Sequence, residues 1–217
     1  MAGRAFSAAE KGYQIVMATN TRIHFTVPGM SREDAARVIE LLQARLHAHN
    51  DLQLTLKHVH WNVVGPHFIS MHEMIDPHVD VVRTMADDSA ERIATLGGSP
   101  QGTPGALVKA RTWEDYSLGR ATTQEHLGAL DLVYQGVISG TRKAVQELEE
   151  LDPVTQDMLI GQLDKLELFH WFIRAHLEDQ SGHLSTGSAT SEKEAADAAQ
   201  AAIKTPKTRR TRRTAKK

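Results

Sequence analysis

Apolar residues recur at helical spacing in two long stretches of the first half of the chain. The first begins at Ser31, which can cap free backbone amides, has acids in its first turn and ends near Gly65-Pro66. The second runs from about Phe68 to Leu96 and stops at Gly97-Gly98. Because no segment shows the two-residue alternation of a half-buried strand, the pattern predicts an all-α protein.

Two further helices are predicted after a long connection. Residues 99–120 form this connection, with one short helix near its middle. The third long helix is predicted from Thr122, and the fourth opens at Asp152-Pro153, a good cap followed by a first-turn proline. Four long helices with one long connection between the second and third favour a four-helix bundle with a crossover.

The predicted bundle occupies residues 25–184, between two tails. Residues 1–24 have no sustained period and are predicted to be a flexible arm, and the small, polar residues 185–217 are predicted to be disordered. From residue 203 the tail holds eight Lys or Arg and no acid. Removing these eight from the total of 25 leaves 17 basic residues against 27 acidic ones. This asymmetry suggests separate roles for an acidic body and a basic tail.

Composition limits the chemistry that the chain can perform. It has no cysteine, which excludes disulfides, thiolate catalysis, iron-sulfur clusters and sulfur-ligated zinc. A metal would therefore have to bind His, Asp or Glu. The first twenty residues contain only the short apolar run IVMA, too brief for a signal-peptide core or a membrane span. We therefore expect a cytoplasmic protein without membrane association.

The second predicted helix carries a stripe of ionisable residues. Its members are His72, Asp76, Asp80, Arg83, Asp87 and Glu91. They fall within an arc of about 100°, away from the apolar positions of the same helix. A solvated charged face is one interpretation. Metal binding is another, because His72 and Asp76 are four residues apart and can bring an imidazole and a carboxylate onto one ion. A plain salt bridge between His72 and Asp76 would give the same sequence pattern.

Distance along the helix constrains the metal hypothesis. Asp76 and Asp87 are eleven residues apart, about 16 Å, so they cannot bind the same ion. If His72 with Asp76 and Asp87 with Glu91 are both ligand pairs, the helix serves two sites. An antiparallel partner related by a two-fold axis could bring one pair against the other. His60, on the apolar arc of the first helix, could add a ligand, although a satisfied core histidine would occupy the same position.

Pro77 leaves the beginning of the second helix open. A proline inside a helix removes a hydrogen bond and costs about 3 kcal/mol. Asp76-Pro77 could instead start the helix and leave His72 before it. The residues alone are compatible with both alternatives.

The stretch LKHVHWNVVGPHFISMHEMID, followed by D-x-x-x-E and RIATLGG, resembles the Dps family of mini-ferritins, the DNA-binding proteins from starved cells. The likeness extends from about Phe25 to His183. It implies a ferritin-like four-helix bundle with a short crossover helix, and a hollow dodecamer with ferroxidase sites between two-fold-related subunits. It also implies a continuous second helix in which Pro77 is a kink.

The site positions of the family fall on five residues of this sequence. The matching residues are His60, His72, Asp76, Asp87 and Glu91, with Asp87 and Glu91 contributed by the partner chain. Trp61 would be the aromatic residue beside the site. The resemblance implies oxidation of ferrous iron, preferably by hydrogen peroxide, and storage of a ferric mineral. Iron would be the substrate, and no organic cofactor is implied.

Acidic three-fold pores are a further feature that the resemblance implies. Asp164 and Glu167 on the last bundle helix are the candidates for their lining, although ordinary exposed acids would look the same. Glu167 and His170 also form a Glu-x-x-His pattern, which is typical of di-iron sites in bundle cores. Such a site needs two copies of the pattern, and the chain has one.

The basic tail is a candidate DNA-binding segment. Its charged residues are Lys204, Lys207, Arg209, Arg210, Arg212, Arg213, Lys216 and Lys217. A disordered polycation of this kind binds phosphates without reading bases, which suggests non-sequence-specific DNA binding at the nucleoid. A tail that promotes solubility or binds another protein is the alternative.

The sequence can be interpreted in terms of three functions. The first is an iron-oxidising store that also coats DNA. The second is a structural nucleoid protein with secondary or no iron chemistry, which would not need the five ligand positions. A mononuclear metal enzyme acting on an organic substrate is disfavoured, because no acid, base or nucleophile set stands beside the ligands.

Overall fold

The computed structural model describes residues 23–204. The elements of this part are α1 (Arg32–Asn62), β1 (Val63–Val64), α2 (Phe68–Thr95), α3 (Pro104–Ala110), β2 (Ala121–Thr122), α4 (Thr123–Leu148), α5 (Pro153–Ala175) and α6 (Glu192–Lys204). The four long helices that the sequence predicts are α1, α2, α4 and α5, and α3 is the short crossover helix. The predicted four-helix bundle with a crossover is therefore confirmed. No helix among these residues is both long and apolar enough to cross a membrane.

Side-chain caps start three of the four bundle helices. Ser31 caps α1, Thr122 caps α4 and Asp152 caps α5, and each accepts a hydrogen bond from a first-turn backbone amide. These oxygens satisfy amides that have no partner inside the helix. At the beginning of α2, His67 makes no such side-chain bond.

Helix α1 packs mainly on α2, and α5 packs mainly on α4. The two strands join these pairs in a parallel ladder, with Val63 opposite Ala121 and Val64 opposite Thr122. The ladder fixes the end of α1 beside the beginning of α4. The sequence did not predict these strands, because two residues are too few to show an alternating pattern.

The bundle core consists of two apolar clusters. One is built around residues such as Leu52, Ile75, Leu130, Tyr134 and Leu166, and the other around Val38, Leu42, Ile93, Leu148 and Leu159. Each of the four bundle helices also contributes buried polar residues, among them Arg45, His49, Ser89, Thr141 and Gln162. Gly140 makes room for the guanidinium of Arg45, since a Cβ atom there would lie 2.6 Å from its Nη1.

Helix α2 is continuous from Phe68 to Thr95 and contains Pro77. Of the two alternatives left open by the sequence, the one in which Asp76-Pro77 starts the helix is wrong. His72 and Asp76 therefore lie on the same helix as Asp87 and Glu91. The alternation of buried and exposed positions leaves all four acidic members of the stripe exposed.

The structure differs from the sequence prediction at the C-terminal end. Residues 192–204, within the segment predicted to be disordered, form helix α6, which packs on α4 and buries Ala195, Ala196 and Ala199. Disorder was expected because the segment has few large apolar residues. Alanine, however, has the highest helix propensity and allows two helices to approach closely. Residues 1–22 and 205–217 lie outside the described residues, so the predictions for them stay predictions.

Candidate metal centre

His60, near the end of α1, and His72, near the beginning of α2, face each other. Their ring centroids are 3.6 Å apart, with an angle of 23° between the ring planes. Nδ1 of each ring lies 3.0 Å from the backbone carbonyl oxygen of the other residue. When Nδ1 of a neutral imidazole donates to a carbonyl, Nε2 keeps its lone pair and can bind a metal. The crossed hydrogen bonds thus favour the tautomer that both histidines need as ligands.

Asp76 lies one helical turn after His72 and joins this group. Its Oδ1 is 3.1 Å from Nδ1 of His60 and 3.0 Å from Nζ of Lys57. The hydrogen bond from Lys57 is the main reason that the pKa of Asp76 is held below its usual range, and it outweighs the opposing effect of desolvation. Asp76 is therefore a carboxylate at neutral pH, as a metal ligand must be.

The edge of this group is apolar and open. His60 itself is buried at 7% exposure, but the neighbouring Trp61 is 71% exposed. Phe68 packs against the His72 ring with a centroid distance of 4.9 Å, and Ile69 beside it is exposed. Large apolar side chains gathered around a polar group indicate a surface that another protein covers.

Asp87 and Glu91 lie towards the other end of α2, and both are exposed. No hydrogen bond or ion pair of either carboxylate is found within residues 23–204. Arg83, which could have neutralised Asp87, instead pairs with Asp80 at 3.4 Å. Asp87 also lines an open groove of about 520 Å³ between α1 and α2.

A single chain does not bring the five predicted ligands together. His60, His72 and Asp76 form one group, whereas Asp87 and Glu91 are about three turns of α2 away. Within residues 23–204 of one chain, no three His, Asp or Glu side chains are arranged to hold a metal ion. The two groups are thus separate halves of any site that uses all five residues.

The pore candidates have cationic partners within the chain. Asp164 is 2.9 Å from Lys165, and Glu167 pairs with Arg142. His170 of the Glu-x-x-His pattern pairs instead with the buried Asp131, whose carboxylate is 2.6 Å away. The assignment of Asp164 and Glu167 to a pore therefore stays a prediction.

Lys57 is a site residue that sequence reasoning missed. It precedes Trp61 by one helical turn, and its ammonium lies 5.7 Å from the centre of the indole ring. This spacing places both residues on one face of α1, which is the signal that could have found it. Of the predicted DNA-binding residues, the structure describes only Lys204, at the end of α6. Lys207 and the basic residues that follow lie outside the described residues.

The bundle, its crossover helix and the histidine-carboxylate group define a ferritin-like protein, and the ferritin-like domain family matches residues 39–181. A DNA protection during starvation protein of Mycolicibacterium smegmatis is 61% identical over 173 residues, which are 80% of this chain and 94% of the relative. The chain belongs to the Dps family, the DNA protection during starvation proteins. The resemblance seen in the sequence is thereby confirmed.

Solved structures agree with this assignment. DpsA14 from Streptomyces coelicolor is 64% identical and superimposes with a TM-score of 0.75, covering 76% of this chain and 99% of the other. Dps from Microbacterium arborescens, solved in a high iron form, is 28% identical with a TM-score of 0.64. That match covers 68% of this chain and 96% of the other.

Proposed function

We propose that the protein oxidises ferrous iron at sites shared between two chains and stores the ferric product inside a dodecameric shell. The observation that carries this proposal is the division of the ligands into two groups. His60, His72 and Asp76 converge near one end of α2, while Asp87 and Glu91 have no partner within residues 23–204. Each group lacks the ligands that the other provides.

The order of charges along α2 fits a two-fold axis between antiparallel helices. Three residue pairs of α2 have the same midpoint, which lies between Val81 and Val82. They are His72 with Glu91, Asp76 with Asp87, and Asp80 with Arg83. With the axis at that point, each residue faces the other member of its pair on the second chain. Asp80 then faces an opposite charge. Asp76 faces another carboxylate, an arrangement that a bound cation stabilises.

The groove beside Asp87 offers a place for the edge of the second chain. Its walls include side chains of both α1 and α2, such as Asn50, Gln53 and Ala90. In the proposed register, the exposed Trp61 of one chain approaches this groove on the other. Covering Trp61 would exclude water from the iron and bury apolar surface at the same time.

The ligand types suit iron as the substrate. Carboxylates are hard ligands that stabilise ferric iron, and two imidazoles allow ferrous iron to bind first. Two ferrous ions, one hydrogen peroxide and two protons give two ferric ions and two water molecules. A site that takes both electrons together releases no hydroxyl radical. The high iron form of the Microbacterium arborescens relative supports iron handling in this family.

The test replaces Asp87 and Glu91 together by alanine and follows peroxide-dependent oxidation of ferrous iron. The double variant should lose most of the activity while it still assembles. Asp88→Ala is the matched control, because Asp88 is exposed and adjacent but lies outside the stripe. Full activity in the Asp87/Glu91 double variant would overturn the site assignment.

We also propose that the basic tail binds DNA without sequence preference and brings the shell to the nucleoid in the cytoplasm. Eight basic residues and no acid follow residue 202, while the rest of the chain has an excess of acids. The name of the Mycolicibacterium smegmatis relative, a DNA protection during starvation protein, supports a DNA partner. The logarithm of the DNA association constant, plotted against the logarithm of the salt concentration, should have a slope of about −0.9 for each phosphate that is neutralised.

Removal of residues 205–217 tests the tail. The truncated shell should lose gel retardation of DNA and keep its iron oxidation. DNA binding that survives the truncation would place the contact elsewhere. The structural nucleoid function is favoured instead by two results together. Truncation abolishes DNA binding, and the unaltered protein oxidises iron as slowly as the Asp87/Glu91 double variant does.

A further inference from the structure

A buried carboxylate fixes the chain after α5 to the bundle. Asp131 of α4 is 1% exposed and accepts hydrogen bonds from the Thr186 hydroxyl at 2.5 Å and from His170 at 2.6 Å. Thr186 is itself only 2% exposed. A carboxylate this deeply buried needs hydrogen bonds to its oxygens, so Thr186 is a structural partner of the bundle.

Helix α6 is fixed by a second set of contacts. Ala195 lies directly on Gly128 of α4, where an added Cβ atom would be 2.4 Å from the Ala195 carbonyl oxygen. At the beginning of α6, the Glu192 carboxylate accepts hydrogen bonds from the backbone amide and the hydroxyl of Ser117, at 2.7 and 2.9 Å. Ala199 belongs to the main apolar cluster of the core.

These contacts determine where the basic tail begins. Helix α6 ends at Lys204, whose charge acts on Glu125 in the first turn of α4. Gln200, one turn before Lys204, accepts a hydrogen bond from the Thr122 hydroxyl at 3.1 Å. The remaining 13 residues, with seven of the eight basic side chains, therefore start from a fixed point on the bundle.

We propose that the docking of α6 on α4 positions the tail for DNA and raises the affinity of the assembled shell. The inference rests on the proposed DNA-binding function of the tail. If α6 detaches while Thr186 stays in place, the tether lengthens from the 13 residues after Lys204 to the 31 residues after Thr186. For a tether already long enough to reach the DNA, the local concentration of the tethered group falls roughly as the −3/2 power of tether length. Each additional tail that engages the same DNA then binds about fourfold less well.

The test compares the same substitution at two glycines of α4 in the full-length assembled protein. Gly128→Ala places a methyl group against the Ala195 backbone, whereas Gly136→Ala enters open space. Amide hydrogen exchange across residues 192–204 reports whether α6 has detached. DNA affinity is measured on a long duplex that reaches several tails of one shell and on a short duplex that a single tail covers.

The proposal expects faster exchange in α6 for Gly128→Ala and a several-fold lower affinity for the long duplex. Affinity for the short duplex should be unchanged, and Gly136→Ala should behave as the unaltered protein does. Unchanged affinity for the long duplex with α6 detached would overturn the proposal. Gly128→Leu is the stronger variant if Gly128→Ala leaves exchange unchanged. If α6 stays protected in Gly128→Leu as well, the assigned docking contact is wrong.

Removal of residues 205–217 separates this proposal from the function on which it rests. If the truncated and complete proteins bind DNA equally well, the proposed role of the tail fails. If truncation abolishes binding while a detached α6 has no effect, only the positioning role fails.

Discussion

Lys57 places a positive charge at the proposed iron site. Its ammonium is 3.0 Å from the Asp76 carboxylate, which also lies 3.1 Å from the His60 ring. A ferrous ion that binds Asp76 must displace this ammonium or share the carboxylate with it. Lys57 therefore lowers the pKa of Asp76 and at the same time weakens the binding of a second cation.

Replacement of Lys57 by methionine should tighten ferrous iron binding roughly three- to tenfold, because it removes a like charge at a partly exposed site. The methionine keeps an unbranched apolar stem against Trp61. Titration of anaerobic protein with ferrous iron measures the effect, and Lys57→Arg, which keeps the charge, is the control. Weaker binding in Lys57→Met would show that Lys57 supports the site instead of competing with the metal.

The segment before α1 is held by the end of α2. Gly97, just after that helix, has a φ of +87°, and a Cβ atom there would lie 2.0 Å from the Phe25 carbonyl oxygen. Gly29 has the same φ of +87° but no atom within 4 Å of the corresponding position. A comparison of the same substitution at these two glycines separates the free-energy cost of the left-handed backbone from the cost of the contact with Phe25.

Gly97→Ala should lower the free energy of unfolding by about 2–4 kcal/mol, since it combines a left-handed backbone with a clash against a main-chain atom. Gly29→Ala should cost about 1 kcal/mol, from the backbone conformation alone. Denaturant unfolding of the two variants at equal protein concentration gives the comparison. Equal losses would mean that the chain before α1 does not depend on the Gly97 contact.

The sequence predicted the elements that depend on large apolar residues or strong caps. The bundle helices have helical spacing of such residues, and Asp152-Pro153 marks the beginning of α5. Helix α6 was missed because its contact with α4 uses alanines against Gly128, which have no apolar pattern strong enough to stand out. The β1–β2 ladder was missed because two residues have no period.

Part of the candidate site was also predictable, from the spacing of residues along one helix. The spacing of His72, Asp76, Asp87 and Glu91 on one helix already shows that the two pairs cannot share an ion. The stacking of His60 on His72 and the ion pair of Lys57 with Asp76 depend on how α1 lies against α2. Such contacts between helices are not encoded in the spacing of either helix alone.

Buried histidines make the whole molecule sensitive to acid. Desolvation lowers the pKa of His49 to about 3 and those of His78 and His126 to about 4. In the unfolded chain all three titrate near 6.5, so between about pH 4 and 6.5 the unfolded state binds more protons. The stability that they contribute is complete above pH 6.5 and is lost as the pH falls through this range.

On unfolding between about pH 4.5 and 6, these histidines should therefore take up as many as three protons from solvent, which gives the free energy of unfolding a slope of up to about 4 kcal/mol per pH unit. Denaturant unfolding across this range measures the slope. His78→Asn removes one titrating group. It should reduce the number of protons taken up on unfolding by about one, and the slope should fall in proportion. An unchanged slope in that variant would show that His78 does not contribute.

The proposed two-fold register makes a separate prediction for Asp80 and Arg83. Asp80→Arg and Arg83→Asp should each weaken assembly, because each places like charges opposite one another at the axis. The chain carrying both changes should assemble again, since the opposite charges are restored in exchanged positions. Analytical ultracentrifugation of the three variants tests this, and failure of the double exchange to recover would contradict the register.

Mixed shells test the proposal that each iron site takes ligands from two chains. One variant lacks His60 and His72, the other lacks Asp87 and Glu91, and each alone should lose most of the activity. When the two are assembled together in equal amounts, half of the two-fold pairs join unlike chains, and each such pair regains one intact site of two. Ferrous iron oxidation should return to about one quarter of the rate of the unaltered protein. Mixed shells that oxidise iron no faster than their parents, or a parent that keeps the full rate of the unaltered protein, would contradict this proposal.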